Sequence, residues 1–507
     1  MQKPIWKQER FWLFLPLLVL IYFPVFMRMD VMPLRPWDES ILGINTMEMM
    51  DNHNPIVTYF YGKPDMSNCK PPLAIWLMAL CSKVFGFSEF SLRLPSALAA
   101  FTLCVYLFFA LGKYMRSYVF SFLVVAVLVS CQGYVRNHVI RTGEYDSLLV
   151  LFTALFSLHL FFATEAEEVA RRGRHLLLFF IFLTLAVLTK GIACMMLAPG
   201  LFLYVLARKK LLLFLKEKNT YLGLGIFLVF GLGYYFLRET INPGYLVAVW
   251  ENELGGRFAA PQGHPGAATF YIYEILGWQF DYYKFLFPAA LACGLLIVEP
   301  ALKRLTIFSF CAAVFFLLVI STAQTKLSHY DAPLFPFLAI IMAGLIFRLY
   351  LLLRESTKNL KPWTSAAIAG FVCLCFLANP YYETIKKVYA AKGDSWDEGF
   401  SKHCGVFRLA IRNHITVNHF IIPFDWIVQE NSGEYNILNC YRRVLSEHEI
   451  TMNLASLSAL SPTDTVMSFG DWNKHLINEK YYTRDLNYYK EFDGYYLVVD
   501  SVKATAP

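Results

Sequence analysis

The sequence predicts a polytopic α-helical membrane protein carrying a small α/β domain at its C-terminal end. Three observations predict it. Apolar runs of about 17–22 residues recur along the first three quarters of the chain, the length a helix needs to cross a bilayer. Of 507 residues, 57% are apolar and only 16% charged, against roughly 25% charged in ordinary soluble domains, and the mean hydropathy is +0.45. The last 130 or so residues break this pattern with mixed charge and short alternating apolar segments.

In chain order, spans are expected near residues 11–27, 92–111, 117–133, 147–163, 176–189, 192–206, 221–237, 285–299, 305–321, 332–351 and 363–379. This is a core of roughly 11–13 helices of a transmembrane domain at 1–379. The first run is followed by Arg28 and Asp30 with no small-residue cleavage site, which reads as a retained helix. Pro72–Phe87 is apolar but short and contains Lys83, so an interfacial or re-entrant helix is expected there.

Loop charge sets the orientation. Lys3, Lys7 and Arg10, then Lys113 and Arg116, Arg171, Arg172 and Arg174, Arg208 to Lys218, Lys303 and Arg304, and Arg348 to Lys361 fall in alternate loops. Such basic loops mark the cytoplasmic side. The opposite set, 28–91, 134–146, 238–284, 322–331 and the tail, is then outward-facing, with the loop at 28–91 unusually rich in cations. The net charge of +7 is thereby explained by topology and implies no nucleic-acid partner.

The tail at 380–507, with a boundary expected at Asn379-Pro380, alternates as in Tyr495-Tyr496-Leu497-Val498-Val499 and turns at Asp493-Gly494. It reads as an exposed α/β domain. Most of the 11 cysteines lie in apolar runs, where they act as small hydrophobes. Only Cys404 and Cys440 share the tail, which leaves one disulfide open there. Zinc spacings, internal repeats and low-complexity tracts are absent from the sequence.

Chemistry concentrates in the outward loops. Asp38 and Glu39 open the first, Lys70 closes it, and Arg93 stands at the mouth of the next span. Arg141, Glu144 and Asp146 follow, then Lys190 between two apolar segments. The long loop holds Arg257 and His264, and the last holds Lys326, His329 and Tyr330. Carboxylates suit a general base or a metal, while Lys, Arg and His suit a phosphate. Blander readings exist for each: a solvated helix cap at Asp38-Glu39, a snorkelling lysine at Lys70 or Lys190, a turn residue at His264. Their coincidence on one membrane face favours a site. A transporter or flippase would instead place charges near the midplane, often within inverted repeats. A structural subunit of an envelope complex is a third class.

The series Asp38-Glu39, Lys70-Pro71-Pro72-Leu73, Arg93-Leu94-Pro95-Ser96-Ala97-Leu98, Glu144-Tyr145-Asp146, Leu185 to Gly191, Arg257-Phe258 with Gly263-His264-Pro265, and Thr325 to Tyr330 resembles the polyprenyl-phosphate-dependent GT-C glycosyltransferases. That group includes the lipid A aminoarabinose transferases and the protein O-mannosyltransferases. The resemblance spans roughly residues 10–340 in the family's order. It implies a multispan fold in a bacterial inner membrane, a periplasmic site, a sugar donor on undecaprenyl phosphate or a similar lipid, and a lipid or glycan acceptor rather than a protein. It further implies Asp38 as key carboxylate with Asp146 as a second. Glu39, Lys70, Arg93, Arg141, Arg257, His264, Lys326, His329 and Tyr330 would hold donor and acceptor. Two positions depart from the family: Cys69 stands where aminoarabinose transferases carry a metal-binding glutamate, and Ile41 where an arginine follows the acidic pair. A divalent metal therefore stays open.

Overall fold

The structure, a computed structural model, describes residues 9–136, 138–260, 263–296, 299–390, 398–412, 419–424 and 432–503, with the side chains of 254, 257, 398–403 and 419 left aside. Among the described residues, seven helices are long and apolar enough to cross a membrane: Glu89–Met115, Asp146–Glu165, Val169–Ala207, Lys218–Ile241, Pro300–Thr322, Ser328–Ser356 and Pro362–Ala390. The difference from the larger expected number has an identifiable source. The expected spans 176–189 and 192–206 lie in one apolar stretch, bent by a 3₁₀ segment at Gly191–Leu197. Those near 11–27, 117–133 and 285–299 form the shorter apolar helices Glu9–Val25, Tyr118–Val129 and Phe287–Leu296.

The first seven helices are α1 (Glu9–Val25), α2 (Asp38–Asn52), α3 (Leu73–Phe85), α4 (Glu89–Met115), α5 (Tyr118–Val129), α6 (Asp146–Glu165) and α7 (Val169–Lys190). As expected for Pro72–Phe87, α3 is short. Helices α6 and α7 form an antiparallel hairpin joined by Ala166–Glu168. In such a hairpin the first residue of one helix lies beside the last of the other, so Asp146 meets Lys190. The acid sits at the N-terminal, positive end of its helix and the base at the C-terminal, negative end of its own, a favourable arrangement for both. The hairpin start is tied to α4 where Ser147 Oγ donates to the Ser96 carbonyl at 2.6 Å and Ser96 Oγ to that of Glu144 at 3.3 Å.

The chain divides into two compact units. The first comprises Met1–Met27, Asp65–Ala74 and Pro95–Tyr389; the second comprises Arg28–Pro64, Ile75–Leu94 and Ala390–Pro507. The helix Pro362–Ala390 runs through Asn379-Pro380 without a break, so the tail boundary falls about ten residues later than the sequence suggested. A proline inside an apolar helix is tolerated where neighbours satisfy the freed carbonyl.

The second unit joins the first outer loop to the tail. A two-stranded hairpin pairs β1 (Tyr59–Phe60) with β2 (Lys63–Pro64). The tail sheet has β3 (His419–Pro423), β4 (Thr451–Ala455), β5 (Thr465–Phe469), β6 (Tyr481–Tyr489) and β7 (Gly494–Val502) in the order β4-β3-β5-β7-β6. Strands β3, β4 and β5 pair in parallel while β7 runs antiparallel to β5 and β6. Val466, Leu497, Val499, Ile477 and Tyr481 form part of its core. The helix Gly433–Ser446, between β3 and β4 in sequence, packs against α2 and β4. Cys404 and Cys440 are buried free thiols.

Candidate active site

The first unit contains a pocket with about 670 Å³ of empty space, open at its mouth, whose polar lining is Lys70, Asp146, Lys190, Glu253, Thr325 and Tyr330. The rest of the lining is largely apolar and includes Leu149, Ile192, Met196, Phe258, Phe316 and Ile320. Each lysine faces a carboxylate. Lys190 Nζ lies 2.7 Å from both oxygens of Asp146, with the two side chains 9% and 3% exposed. Lys70 Nζ stands 3.5 Å from Glu253, beyond a close hydrogen bond. Lys70 also lies 5.5 Å from the Tyr145 ring centre and Lys190 the same distance from that of Tyr330, cation–π contacts that suit cations away from bulk water.

Local sequence explains how these side chains are held. Lys70 ends the turn Asp65–Cys69, whose Asp65 carboxylate accepts the backbone N–H groups of Ser67 and Asn68. Asn68 donates to the Tyr145 hydroxyl at 2.8 Å, and Tyr245 donates to the Cys69 carbonyl at 2.6 Å. The Cys69 thiol donates to the Met66 carbonyl at 2.9 Å and receives the Asn252 amide. Glu253 and Phe258 sit on the π-helical segment Trp250–Phe258, a geometry common at functional sites. Lys190 is followed by Gly191 at φ 57°, where a Cβ would meet the Tyr235 hydroxyl at 2.7 Å. The chain thus turns sharply just after the lysine.

The remaining expected residues fall into three groups. Tyr330 joins Lys70 and Asp146 in the pocket lining. His329 is buried next to it, its ring stacked on His138 with centres 4.6 Å apart, and His138 Nδ1 lies 2.8 Å from Glu144. Asp38 is the exposed first residue of α2, and His264 is exposed, its carbonyl accepting the Lys326 N–H. The Arg257 side chain lies outside the described residues.

Four residues expected to meet substrate are engaged within the fold. Arg93 and Glu39 meet each other in the second unit, 1% exposed each. Arg93 Nε and Nη2 donate to the Glu39 carboxylate at 2.7 and 2.8 Å, and its other N–H groups donate to the carbonyls of Met29, Met32 and Pro33 at 2.7 Å. Arg141 donates to the carbonyls of Pro24, Val25 and Met27 at 2.8–3.3 Å, capping α1. Lys326 Nζ donates to the carbonyls of Ile320, Ser321 and Ala323 at 2.6–3.0 Å. An ammonium has three donors, so Lys326 is saturated by a helix end, and its desolvation pushes its pKa below the usual lysine range. For the three cations the physical reason is the same: an unfilled helix or loop carbonyl close to the mouth of a span competes with any ligand for the charge.

Glu253 was not among the expected site residues, and Lys190, in the polar set of the outward face, carried no expected substrate role. Lys190 had a signal, a charge isolated between apolar segments. Glu253 had none beyond sharing the long loop with His264.

Fold and pocket together describe a multispan helical membrane protein with a charged pocket beside apolar side chains. A family profile for dolichyl-phosphate-mannose-protein mannosyltransferases matches residues 69–234. Two uncharacterized proteins of Aquifex aeolicus are similar in sequence. One is 28% identical over 365 residues, 70% of this chain and 67% of the relative. The other is 30% identical over 333 residues, 63% of this chain and 70% of the relative. In fold, the chain is similar to ArnT from Cupriavidus metallidurans bound to undecaprenyl phosphate, with a TM-score of 0.65 at 13% identity over 97% of this chain and 98% of that one. It is also similar to the oligosaccharyltransferase AglB from Archaeoglobus fulgidus, with a TM-score of 0.54 at 11% identity over 92% and 70%. The chain has the GT-C fold shared with ArnT and AglB, and over residues 69–234 it is similar to the mannosyltransferase family.

Proposed function

We propose that this glycosyltransferase moves a hexosyl or pentosyl group from a polyprenyl-phosphate donor to a lipid or glycan acceptor at the periplasmic face of a bacterial inner membrane. The observation that carries the reading is the pocket in which Lys70 and Lys190 share a lining with apolar side chains. A polyprenyl-phosphate sugar presents that combination: an anionic phosphate between a sugar and a hydrocarbon chain. The ArnT structure was determined with undecaprenyl phosphate and the AglB structure with a dolichol phosphate, which supports the same donor class here. The basic residues of the alternate loops support the orientation; the cation-rich loop at 28–91 runs against that rule, an exception that a demand for cations at the donor phosphate explains.

In the proposed reaction the acceptor oxygen attacks the anomeric carbon as the bond from that carbon to the phosphate oxygen breaks. The phosphate departs with the electron pair, and Lys70, with Arg257 as a second cation, stabilises the growing charge in a partly dry site. Lys190, held by Asp146, adds positive potential without being displaced itself. Where the acceptor is a hydroxyl, Asp38 takes its proton. Where it is a phosphate, already anionic, Asp38 orients it. A single displacement inverts the anomeric configuration.

The residues present suit a lipid phosphate without dictating a metal. The Cys69 thiol is engaged with Met66 and Asn252, and no step above is routed through an ion.

The test is mass spectrometry of lipids and glycans from cells with and without the protein. We expect one sugar to vanish from the products and its polyprenyl-phosphate form to accumulate. Unchanged lipids and glycans in cells lacking the protein would refute the reading, as would wild-type transfer by a folded Lys70→Ala variant.

A further inference from the structure

Asp38 begins α2, and the residue before it is backbone-strained. Trp37 has φ 70° and ψ −113°, a left-handed conformation that a bulky aromatic side chain adopts only where its surroundings impose it. The Trp37 indole is 60% exposed, so its own burial does not impose this. Three features of the second unit do. The Trp37 carbonyl accepts the Ile41 N–H at 2.8 Å and the Ser40 hydroxyl at 3.1 Å. Glu39, gripped by Arg93, accepts the Arg35 N–H at 2.8 Å, which fixes the chain on both sides of the strained residue. The third is the helix Gly433–Ser446 of the tail, against which the turn rests.

That helix closely approaches the Pro36-Trp37 turn and α2 itself, at one glycine in each contact. A Cβ on Gly433 would stand 2.7 Å from Cβ of Pro36 and 3.2 Å from the backbone nitrogen of Trp37. A Cβ on Gly43 would stand 2.8 Å from Sγ of Cys440, whose thiol points at the Ser40 carbonyl 3.7 Å away. Tyr61, in the turn between β1 and β2, donates to Asn436 of the same helix at 2.6 Å. Neither glycine contact merely fills space. One abuts the strained turn itself and the other lies about one and a half helical turns further along α2.

We propose that the tail helix Gly433–Ser446 is a positioning element for Asp38, setting the carboxylate's direction by holding the Pro36-Trp37 turn and the first turns of α2. The proposal rests on the reading of Asp38 as the carboxylate that acts on the acceptor. It gives the tail domain a task in catalysis, since the precision of a reacting group depends on the shell that supports it.

The test uses full-length variants, assayed in membranes of the cells that naturally carry the protein for sugar transfer from the endogenous polyprenyl-phosphate pool. The purified proteins are assayed for undecaprenyl phosphate binding and for hydrogen exchange. Gly433→Ala and Gly43→Ala should each lower turnover roughly 10- to 100-fold, as a misplacement near 1 Å does, while undecaprenyl phosphate affinity stays unchanged. Exchange at the amides of Ser40 and Ile41 should accelerate with the sheet amides of β5 and β7 unaffected. Cys440→Ala alone should be near wild type, and the Gly43→Ala/Cys440→Ala pair should regain turnover because removing Sγ makes room for the new methyl. A double variant as impaired as Gly43→Ala would overturn the proposal, as would glycine variants of wild-type turnover beside an inactive Asp38→Asn. A fully active Asp38→Asn would instead overturn the reading of Asp38, and the positioning role with it.

Discussion

Two carboxylate–cation pairs with the same 2.7 Å contact do opposite work in this molecule. Glu39 and Arg93, in the second unit, are sealed: every guanidinium N–H has a carboxylate or carbonyl oxygen, and both residues are 1% exposed. Asp146 and Lys190, in the first unit, are bonded just as closely but line a pocket. The distance between partners therefore says little about whether a pair is structural or functional. What decides it is which other atoms the cation serves. Arg93 ties together three loop carbonyls that water cannot reach, so its positive charge is consumed inside the fold. Lys190 is held by a carboxylate at the edge of a cavity, so its field extends into space a ligand can occupy.

The sharpest way to break this comparison is Arg93→Ala. It strands a buried carboxylate and three loop carbonyls at once. Losing one partner of a buried pair costs about 3–5 kcal/mol, a large share of a domain's total stability. We expect little folded protein, read as loss of the detergent-extracted monodisperse species. Arg93→Lys should not restore it, since a point-charge ammonium cannot reproduce the five-donor fork. A folded and active Arg93→Ala would show that the pair is not the anchor described.

Asp146→Asn should behave differently. The side chain keeps its size and one acceptor oxygen for Lys190, so the protein should remain folded. Transfer should fall by about 2–4 kcal/mol of transition-state stabilisation, measured as turnover, because Lys190 loses the partner that fixes its direction. Wild-type turnover would reduce the pair to a helix-end contact.

How much of this was legible in the sequence follows from the same contrast. The apolar runs, the short helix after Lys70-Pro71-Pro72 and the start of α6 at Asp146 depend on local composition and were readable. So was the family order of the polar motifs. The destinations of Arg93, Arg141 and Lys326 were not. Each is a cation near a span end, as a phosphate ligand would be, and only the folded chain shows that carbonyls from distant residues take its protons. Pro380 misled for a related reason. Its meaning as a helix terminator holds in water, whereas within an apolar helix of this chain it is accommodated. Glu253 became visible only when the long loop folded back to Lys70.

Lys326→Met isolates the capping role. Three carbonyls at the end of the helix Pro300–Thr322 lose their donor, at a net cost of about 1–3 kcal/mol. The thermal unfolding midpoint in detergent should fall while transfer persists. If transfer is abolished with the midpoint unmoved, the ammonium reaches the substrate during turnover and the capping description is incomplete.

The smallest expected effect lies at Lys70 and Glu253. At 3.5 Å their contact is longer than a good charge-assisted hydrogen bond, which spans about 2.7–2.9 Å. Both groups lie in the pocket lining, and an arriving phosphate places its own negative charge near the same ammonium. A nearby carboxylate then opposes the donor even as it holds Lys70 in place before binding. Glu253→Gln removes that charge but keeps the side-chain length. We expect undecaprenyl phosphate to bind a few-fold tighter, about 1 kcal/mol or less, as for a partly screened charge pair. The gain should shrink as salt rises, because added ions screen the repulsion that the wild-type carboxylate exerts. Weaker binding in the variant would mean that Glu253 orients Lys70 more than it repels the phosphate, and this pair would then resemble Asp146–Lys190 in kind.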